Sequence, residues 1–170
     1  MKNPNTVTYP LRMIAPILCL AGAMSLGSMA AANQDIVVVT HTDTGITNVD
    51  KIELGRLYLS VSRELGGVTI KAVNQSVEGL KLDFLSALTG MSDRDIESHF
   101  VALDMRGEGR WPPEVDDTEA LVKLLIKYKK AVGWMTVEEF SELPERARSV
   151  LNVLSIDGKT AGEEGYVLNR

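Results

Sequence analysis

Metal-binding and disulfide-forming side chains are scarce in this chain, which has one Cys and two His among 170 residues. A structural zinc site usually takes four nitrogen or sulfur ligands, and a disulfide needs two cysteines. Aromatic residues make up only 5% of the sequence, but hydrophobic residues reach 45% and charged residues 24%, as in an ordinary globular domain. The sequence therefore predicts one folded domain without a metal, a cofactor or an internal disulfide.

Positive charge is also in deficit, with 18 Lys and Arg against 23 Asp and Glu and a net charge of −5. Proteins that bind phosphodiester backbones or anionic lipids depend on clustered basic residues. We therefore expect no nucleic-acid partner.

Acidic residues are absent from the first 32 positions, where Lys2 and Arg12 precede an apolar run over residues 13–27. Ala30 and Ala32 then stand at the two small-residue positions that a signal peptidase reads. This pattern predicts a secretory signal peptide at 1–32 and a domain at 33–170, with 16 Lys and Arg against 23 Asp and Glu. The alternative is an uncleaved anchor, because residues 13–32 approach the ~20 apolar residues that span a bilayer.

Motifs for catalysis are few. Asp43-Thr44-Gly45 matches the tripeptide that carries the catalytic carboxylate of aspartic proteases. Those enzymes are nearly all-β and need a second carboxylate beside the first, whereas the helical spacing after Phe84 contradicts such a fold. The chain also lacks a G-x-S-x-G motif and a complete dinucleotide-binding glycine loop. We expect a protein that is not an enzyme.

Apolar and β-branched runs predict the strands of an α/β sheet. Residues 36–40 read Ile-Val-Val-Val-Thr, which is typical of a strand buried on both faces. Further strands are predicted at 68–73, 131–135 and 150–156, the last ending in an Asp157-Gly158 turn. The remaining residues to Arg170 are expected to form a loosely ordered tail.

Capping residues and helical spacing predict the first three helices. Asn48 should cap a helix over residues 49–58, and a second helix should follow Ser76 and end at Gly90. Ser92, with Asp95 three residues on, should open a third helix. The buried positions predicted for the second and third helices are Leu80, Phe84, Leu88, Ile96, Phe100 and Leu103.

Two more helices are predicted after the glycine- and proline-rich residues 106–113, which should form a surface loop. Asp116, with Glu119 three residues on, should open a helix that packs through Leu121, Leu124, Leu125 and Tyr128. Thr136 with Glu139 should open a short helix that Pro144 ends.

The order of these segments resembles the phosphate-type periplasmic substrate-binding proteins of ABC transporters, particularly their short single-lobe relatives. The similarity extends over about residues 35–168, and no single piece of it is specific. The similar segments are 36–39, 56–59, 68–73, 84–92, 106–113, 131–135, 154–159 and 165–166. The resemblance implies one lobe of a type II periplasmic-binding-protein-like fold, in which helices flank a mixed or parallel sheet.

The resemblance also implies a binding site, because these proteins hold an oxyanion at helix N-termini, where unpaired N–H groups point outward. The corresponding residues are Ser76 and the amides of Val77, Glu78 and Gly79, with Lys81 where the short relatives commonly have Arg. Glu78 is a departure, since its charge would repel a bound phosphate. The alternative for Ser76 is a plain helix cap.

A second wall for this cleft is expected from His41 and Thr42, at the carboxyl end of the first strand. Ligands of open α/β sheets bind outside the carboxyl ends of the strands. The alternative is that residues 41–44 form a solvated turn.

The resemblance implies an exported protein of the periplasm that captures a small oxyanion, phosphate in this family, and delivers it to a membrane permease or a sensor protein. One lobe makes only half of a cleft, so a second protomer in a homodimer or another protein would complete the site. The alternative is a periplasmic adaptor in which the same lobe docks a partner protein and binds no ligand.

Overall fold

A computed structural model describes residues 35–77 and 79–169 of the chain. The predicted signal peptide at 1–32 and the cleavage point after Ala32 lie outside the described residues, as does Glu78. None of the helices in the described ranges is long and apolar enough to cross a membrane.

Ten strands and six α-helices make up the described part of the chain. The strands are β1 (Ile36–His41), β2 (Asn48–Val49), β3 (Glu64–Leu65), β4 (Val68–Thr69), β5 (Lys71–Ala72), β6 (Asn74–Gln75), β7 (Glu114–Val115), β8 (Ala131–Thr136), β9 (Leu151–Val153) and β10 (Ser155–Ile156). The helices are α1 (Lys51–Tyr58), α2 (Leu80–Thr89), α3 (Asp93–Arg106), α4 (Thr118–Tyr128), α5 (Val137–Glu142) and α6 (Glu145–Arg148).

The central sheet is mixed and has the strand order β5-β8-β1-β9. Strand β1 runs antiparallel to both of its neighbours, whereas β5 runs parallel to β8. All six residues of β1 and all six of β8 are buried, which confirms the prediction of a first strand covered on both faces.

Helices cover both faces of this sheet because alternate residues of the central strands point to opposite sides. Val38 and Trp134 face one core cluster, to which α1, α2 and α3 contribute. Val37, Val39 and Met135 face a second cluster, filled mainly by α4. The prediction of a mixed sheet flanked by helices is therefore confirmed.

The larger core is centred on aromatic side chains. The ring of Phe84 stacks on Trp134 at a centroid distance of 5.1 Å and meets Tyr58 edge-on at 4.9 Å. Burial raises the pKa of the Tyr58 phenol well above its ordinary value. These contacts fix α2 against the middle of the sheet and so set where that helix begins.

Several predicted helix boundaries are confirmed. Ser92 caps α3, and Gly90 takes the left-handed conformation with φ of 73° after α2. Thr136 and Glu139 form a capping box at the start of α5, with both of its hydrogen bonds present. The buried positions predicted for α2 and α3 are all in the core.

Two predicted elements near the start of the domain are present with different bounds: the helix predicted at 49–58 is observed as Lys51–Tyr58. Helix α1 is capped by Asp50, whose carboxylate accepts from Ile52 and Glu53, while Asn48 lies in β2. The predicted strand at 68–73 is divided, because its first two residues pair in a hairpin with β3 and only Lys71–Ala72 join the central sheet.

Helix α4 starts one residue later than predicted, and the burial predicted for Leu121 and Leu125 is confirmed. Its cap is Asp117 rather than Asp116. Tyr128, predicted to pack, is 60% exposed, and Val122 is buried instead.

The C-terminal region also departs from the predictions. The strand predicted at 150–156 is two strands, because β9 pairs with β1 whereas β10 pairs with β2. The expected loose tail is instead packed: Tyr166 and Leu168 are buried, and the Ile36 amide donates to the Leu168 carbonyl at 3.3 Å.

Candidate functional site

Three strand ends and three helix starts meet at one edge of the molecule. Strand β6 is parallel to β7, and β5, which leads into β6, is parallel to β8. Helices α2, α4 and α5 follow β6, β7 and β8 along the chain. Carboxyl edges of parallel strands are where open α/β sheets bind ligands, because helix N-termini gather there.

Two of these three helix starts are capped by their own side chains. The Asp117 carboxylate accepts from the Ala120 amide at 2.7 Å, and the Thr136 hydroxyl accepts from the Glu139 amide at 3.1 Å. The cap residue of α2 is Gly79, with φ of 76° and no side-chain hydrogen bond. The first amides of α2 have no intrahelical acceptor, and none of the side chains in ranges 35–77 and 79–169 caps them, so the described residues leave these donors available to a ligand.

Ser76 does not cap α2. It lies three residues before Gly79, and its amide donates to the Val115 carbonyl at 2.9 Å as β6 leaves β7. Both the helix start predicted at Ser76 and the alternative of a plain cap are therefore wrong. The position of Glu78 lies outside the described residues.

A cavity of about 240 Å³ opens beside the start of α2 and is called the α2 cavity here. Its described lining residues are Gln75, Ser76, Val77, Gly79, Lys81, Leu82 and Glu114. Ser76, Val77, Gly79 and Lys81 were all predicted site residues, and the structure brings these four together.

Lys81 is held on two sides within this cavity. Its ammonium Nζ lies 2.6 Å from Glu114 Oε1 and 4.4 Å from the centroid of the Trp111 ring. Trp111 in turn stacks on Phe100 of α3 at 3.8 Å. The side chain of Lys81 is only 26% exposed, so its charge is positioned at the cavity but is largely balanced by Glu114.

Sequence reasoning missed Glu114 and Trp111 as neighbours of Lys81. Trp111 lies in the predicted loop at 106–113, and Glu114 follows that loop as the first residue of β7. The parallel pairing of Asn74 with Glu114 brings both residues alongside β6. A two-residue strand after two prolines carries no periodic signal, so nothing in the sequence pattern indicates this pairing.

His41 and Thr42 do not face the α2 cavity, and the expectation that they form its second wall is wrong. Thr40 lies level with Val132, and Val132 lies level with Ala72, but β1 runs in the opposite direction from β5 and β8. Beyond these residues the chains diverge, which leaves His41 and Ser76 roughly 15 Å apart along the strand direction at about 3.3 Å per residue. The physical reason is the antiparallel placement of β1.

The turn after β1 has its own local contacts. His41 is buried, and its Nδ1 accepts from the Asp43 amide at 3.0 Å. Asp43 forms an ion pair with Lys129 at 2.6 Å, and the hydrogen bond from Lys129 lowers the pKa of the Asp43 carboxyl. The Asp43-Thr44-Gly45 tripeptide thus lies in a mixed α/β fold rather than in the nearly all-β fold of aspartic proteases.

Comparisons with known proteins give structural neighbours only. No family model matches the chain, and no curated protein matches its sequence. An ABC-type phosphate transport receptor from Vibrio cholerae is similar with a TM-score of 0.58 and 14% identity, over 80% of this chain and 53% of that one. PstS from Borrelia burgdorferi is similar with a TM-score of 0.56 and 14% identity, over 80% of this chain and 54% of that one.

A further similar structure is that of a proposed phosphate ABC transporter substrate-binding protein from Clostridium perfringens, with bound phosphate. Its TM-score is 0.52 at 13% identity, over 75% of this chain and 46% of that one. This chain therefore spans about half the length of the solved proteins it matches. The predicted fold class is confirmed: the described residues form a mixed sheet flanked by helices, similar in fold to about half of each of these structures.

Proposed function

We propose that this chain is an exported solute-binding lobe that holds a small oxyanion, phosphate by analogy of fold, at the start of α2. The observation that carries the proposal is the open start of α2 beside the α2 cavity, next to two helix starts that are already capped. Fold alone does not give a ligand; the proposed phosphate rests on the neighbours, one of which was solved with bound phosphate.

The chemistry of the α2 cavity suits an oxyanion. The first amides of α2 can donate to a ligand, and the helix dipole adds about half a positive charge at this end. The Ser76 hydroxyl and the Lys81 ammonium line the same space. Gly79 has nothing within 4 Å of the position of a Cβ, so a ligand can approach the main chain there.

Glu114 and the open cavity limit the affinity of this site. An anion must share Lys81 with Glu114, which holds it at 2.6 Å. Water also competes for each hydrogen bond in a half-cleft, so each is worth little on its own. A second protomer or another protein that covers the cavity would strengthen binding by excluding water.

The proposed setting is the periplasm, reached through the signal peptide at 1–32, with the domain at 33–170 acting there. The neighbours named as an ABC-type phosphate transport receptor and as PstS support a membrane permease as the partner, and a sensor protein is the alternative.

Calorimetry with inorganic phosphate and sulfate tests the proposal on the purified protein. We expect measurable binding to wild type and a loss of at least about tenfold in affinity in a Ser76→Ala, Lys81→Ala double variant, because both donors are removed. Lys127→Ala is the matched control, since this exposed residue of α4 does not line the cavity. Equal affinities of wild type and the double variant would contradict the proposal.

A periplasmic adaptor without a ligand is the second candidate. The observation that favours it is the Lys81–Glu114 ion pair, which already satisfies the cation of the cavity. This candidate predicts no heat with either anion up to millimolar concentration, from protein whose circular dichroism shows a retained fold.

A further inference from the structure

A second depression lies beside the α2 cavity, at the same edge of the sheet. It has a volume of about 700 Å³ and is lined by residues from the end of β6, the first half of α4, both ends of α5 and the segment that leads into α6. The charged residues of its lining are Asp116, Asp117, Glu119, Glu139, Glu142 and Lys123. We call it the acidic groove, because five carboxylates share it with one cation.

Two of these carboxylates have no partner in the described part of the chain. Glu119 is paired with Lys123 at 2.6 Å, and Asp117 caps α4. For Asp116 and Glu142 the described residues offer no hydrogen bond or ion pair, and both side chains are exposed. Negative charge is therefore left uncompensated along the outer part of the groove.

The inner wall of the groove holds a buried acceptor that lacks a donor. Gln75 is fully buried, and its Nε2 donates to the Thr118 hydroxyl at 3.1 Å. That hydroxyl donates onward to Glu139 Oε1 at 2.5 Å, which fixes the direction of the chain of hydrogen bonds. Gln75 Oε1 is left without a partner among the described residues. A buried acceptor without a donor is unfavourable, and an N–H group from a ligand would relieve it.

The acidic groove and the α2 cavity are neighbours. Gln75 and Val77 line both of them. One side of this shared wall offers donors, namely the first amides of α2, the Ser76 hydroxyl and the Lys81 ammonium. The other side offers acceptors, namely the unpartnered carboxylates and the Gln75 oxygen. The two sides together match a ligand whose ends carry opposite charge.

We propose that the solute is zwitterionic, with an oxyanion held at the start of α2 and a primary ammonium group held in the acidic groove. This inference rests on the proposed function and narrows its ligand class. The groove carboxylates repel a phosphate dianion bound nearby, because the repulsion between like charges raises the free energy of the complex. An ammonium on the same molecule offsets that repulsion and supplies N–H donors to the groove.

Calorimetry with three probes tests the inference: inorganic phosphate, phosphoethanolamine and ethanolamine. Phosphoethanolamine should bind at least about tenfold more tightly than phosphate, and ethanolamine should bind more weakly than phosphoethanolamine. An Asp116→Asn, Glu142→Gln double variant should lose this gain while its affinity for phosphate stays the same or rises. A Glu97→Gln, Glu164→Gln variant, which removes the same charge outside the groove, should keep the gain.

The outcomes separate this inference from the function on which it rests. Phosphate binding with no gain from the ammonium overturns the zwitterion and leaves the oxyanion site standing. A gain that survives in the Asp116→Asn, Glu142→Gln variant overturns the assignment to the acidic groove. If ethanolamine binds as tightly as phosphoethanolamine, the joint site is overturned. If neither inorganic phosphate nor phosphoethanolamine gives a binding heat, the proposed function is overturned as well.

Discussion

Lys81, at the α2 cavity, forms an ion pair with Glu114 that affects the proposed anion site. The proposed function gives Lys81 a role in holding an anion, but the ion pair with Glu114 competes for the same charge. Glu114 reaches Lys81 through the pairing of β6 with β7. Under the proposed function, the affinity of the cavity for an oxyanion depends on how strongly Glu114 holds the lysine.

A Glu114→Gln variant measures this competition. Removal of the carboxylate should tighten phosphate binding by up to about fivefold, because a partly exposed ion pair is worth at most about 1 kcal/mol. Calorimetry on the variant and wild type gives the ratio directly. Glu108→Gln is the control, since Glu108 pairs with Arg106 and does not line the cavity. Unchanged or weaker binding in Glu114→Gln would show that Lys81 takes no part in holding the anion.

At the scale of the elements, helix boundaries could be predicted from residues close together in the sequence, whereas strand pairing could not. The α5 capping box and the Ser92 cap of α3 depend on residues three apart, and both are confirmed. Strand direction depends on partners far along the chain, so the antiparallel placement of β1 could not be read from its own residues. The sequence therefore indicated the segment that lines the α2 cavity, but it placed the first helical amides at residues 77–79 rather than from Leu80 onward, and it assigned His41 and Thr42 to the wrong edge.

The contact of α4 with β8 depends on a residue without a side chain. A Cβ built on Gly133 would lie 2.5 Å from Leu121 Cδ1 in the core. Gly133→Ala should lower the free energy of unfolding by about 1–3 kcal/mol, because overpacking forces the helix and sheet apart. Denaturant unfolding followed by circular dichroism measures the loss.

Gly55 in α1 provides the matched control for that prediction. A Cβ there would lie 3.5 Å from Thr89 Cγ2, an ordinary contact. Gly55→Ala should leave the free energy of unfolding unchanged or raise it by up to about 1 kcal/mol, because alanine favours the helix more than glycine does. Equal losses in the two variants would contradict the close approach of α4 to β8.

At the scale of the whole molecule, the two ends of the described chain meet. The Ile36 amide at the start of β1 donates to the Leu168 carbonyl, and Leu168 is 1% exposed. Few apolar residues and several glycines mark residues 157–170, which is why the sequence pattern indicated a loose tail. Tyr166 and Leu168 are nonetheless enough to close the larger core beside β1.

The closing segment should therefore contribute to the stability of the entire domain. Leu168→Ala should lower the free energy of unfolding by about 2–5 kcal/mol, because a large side chain is removed from a packed core. Val101→Ala on α3 removes a side chain that is 60% exposed and should change stability by less than about 0.5 kcal/mol. Denaturant unfolding of both variants decides the point: a small change in Leu168→Ala would mean that the segment is dispensable, whereas a large one makes it part of the cooperative fold that positions the edge where α2 begins.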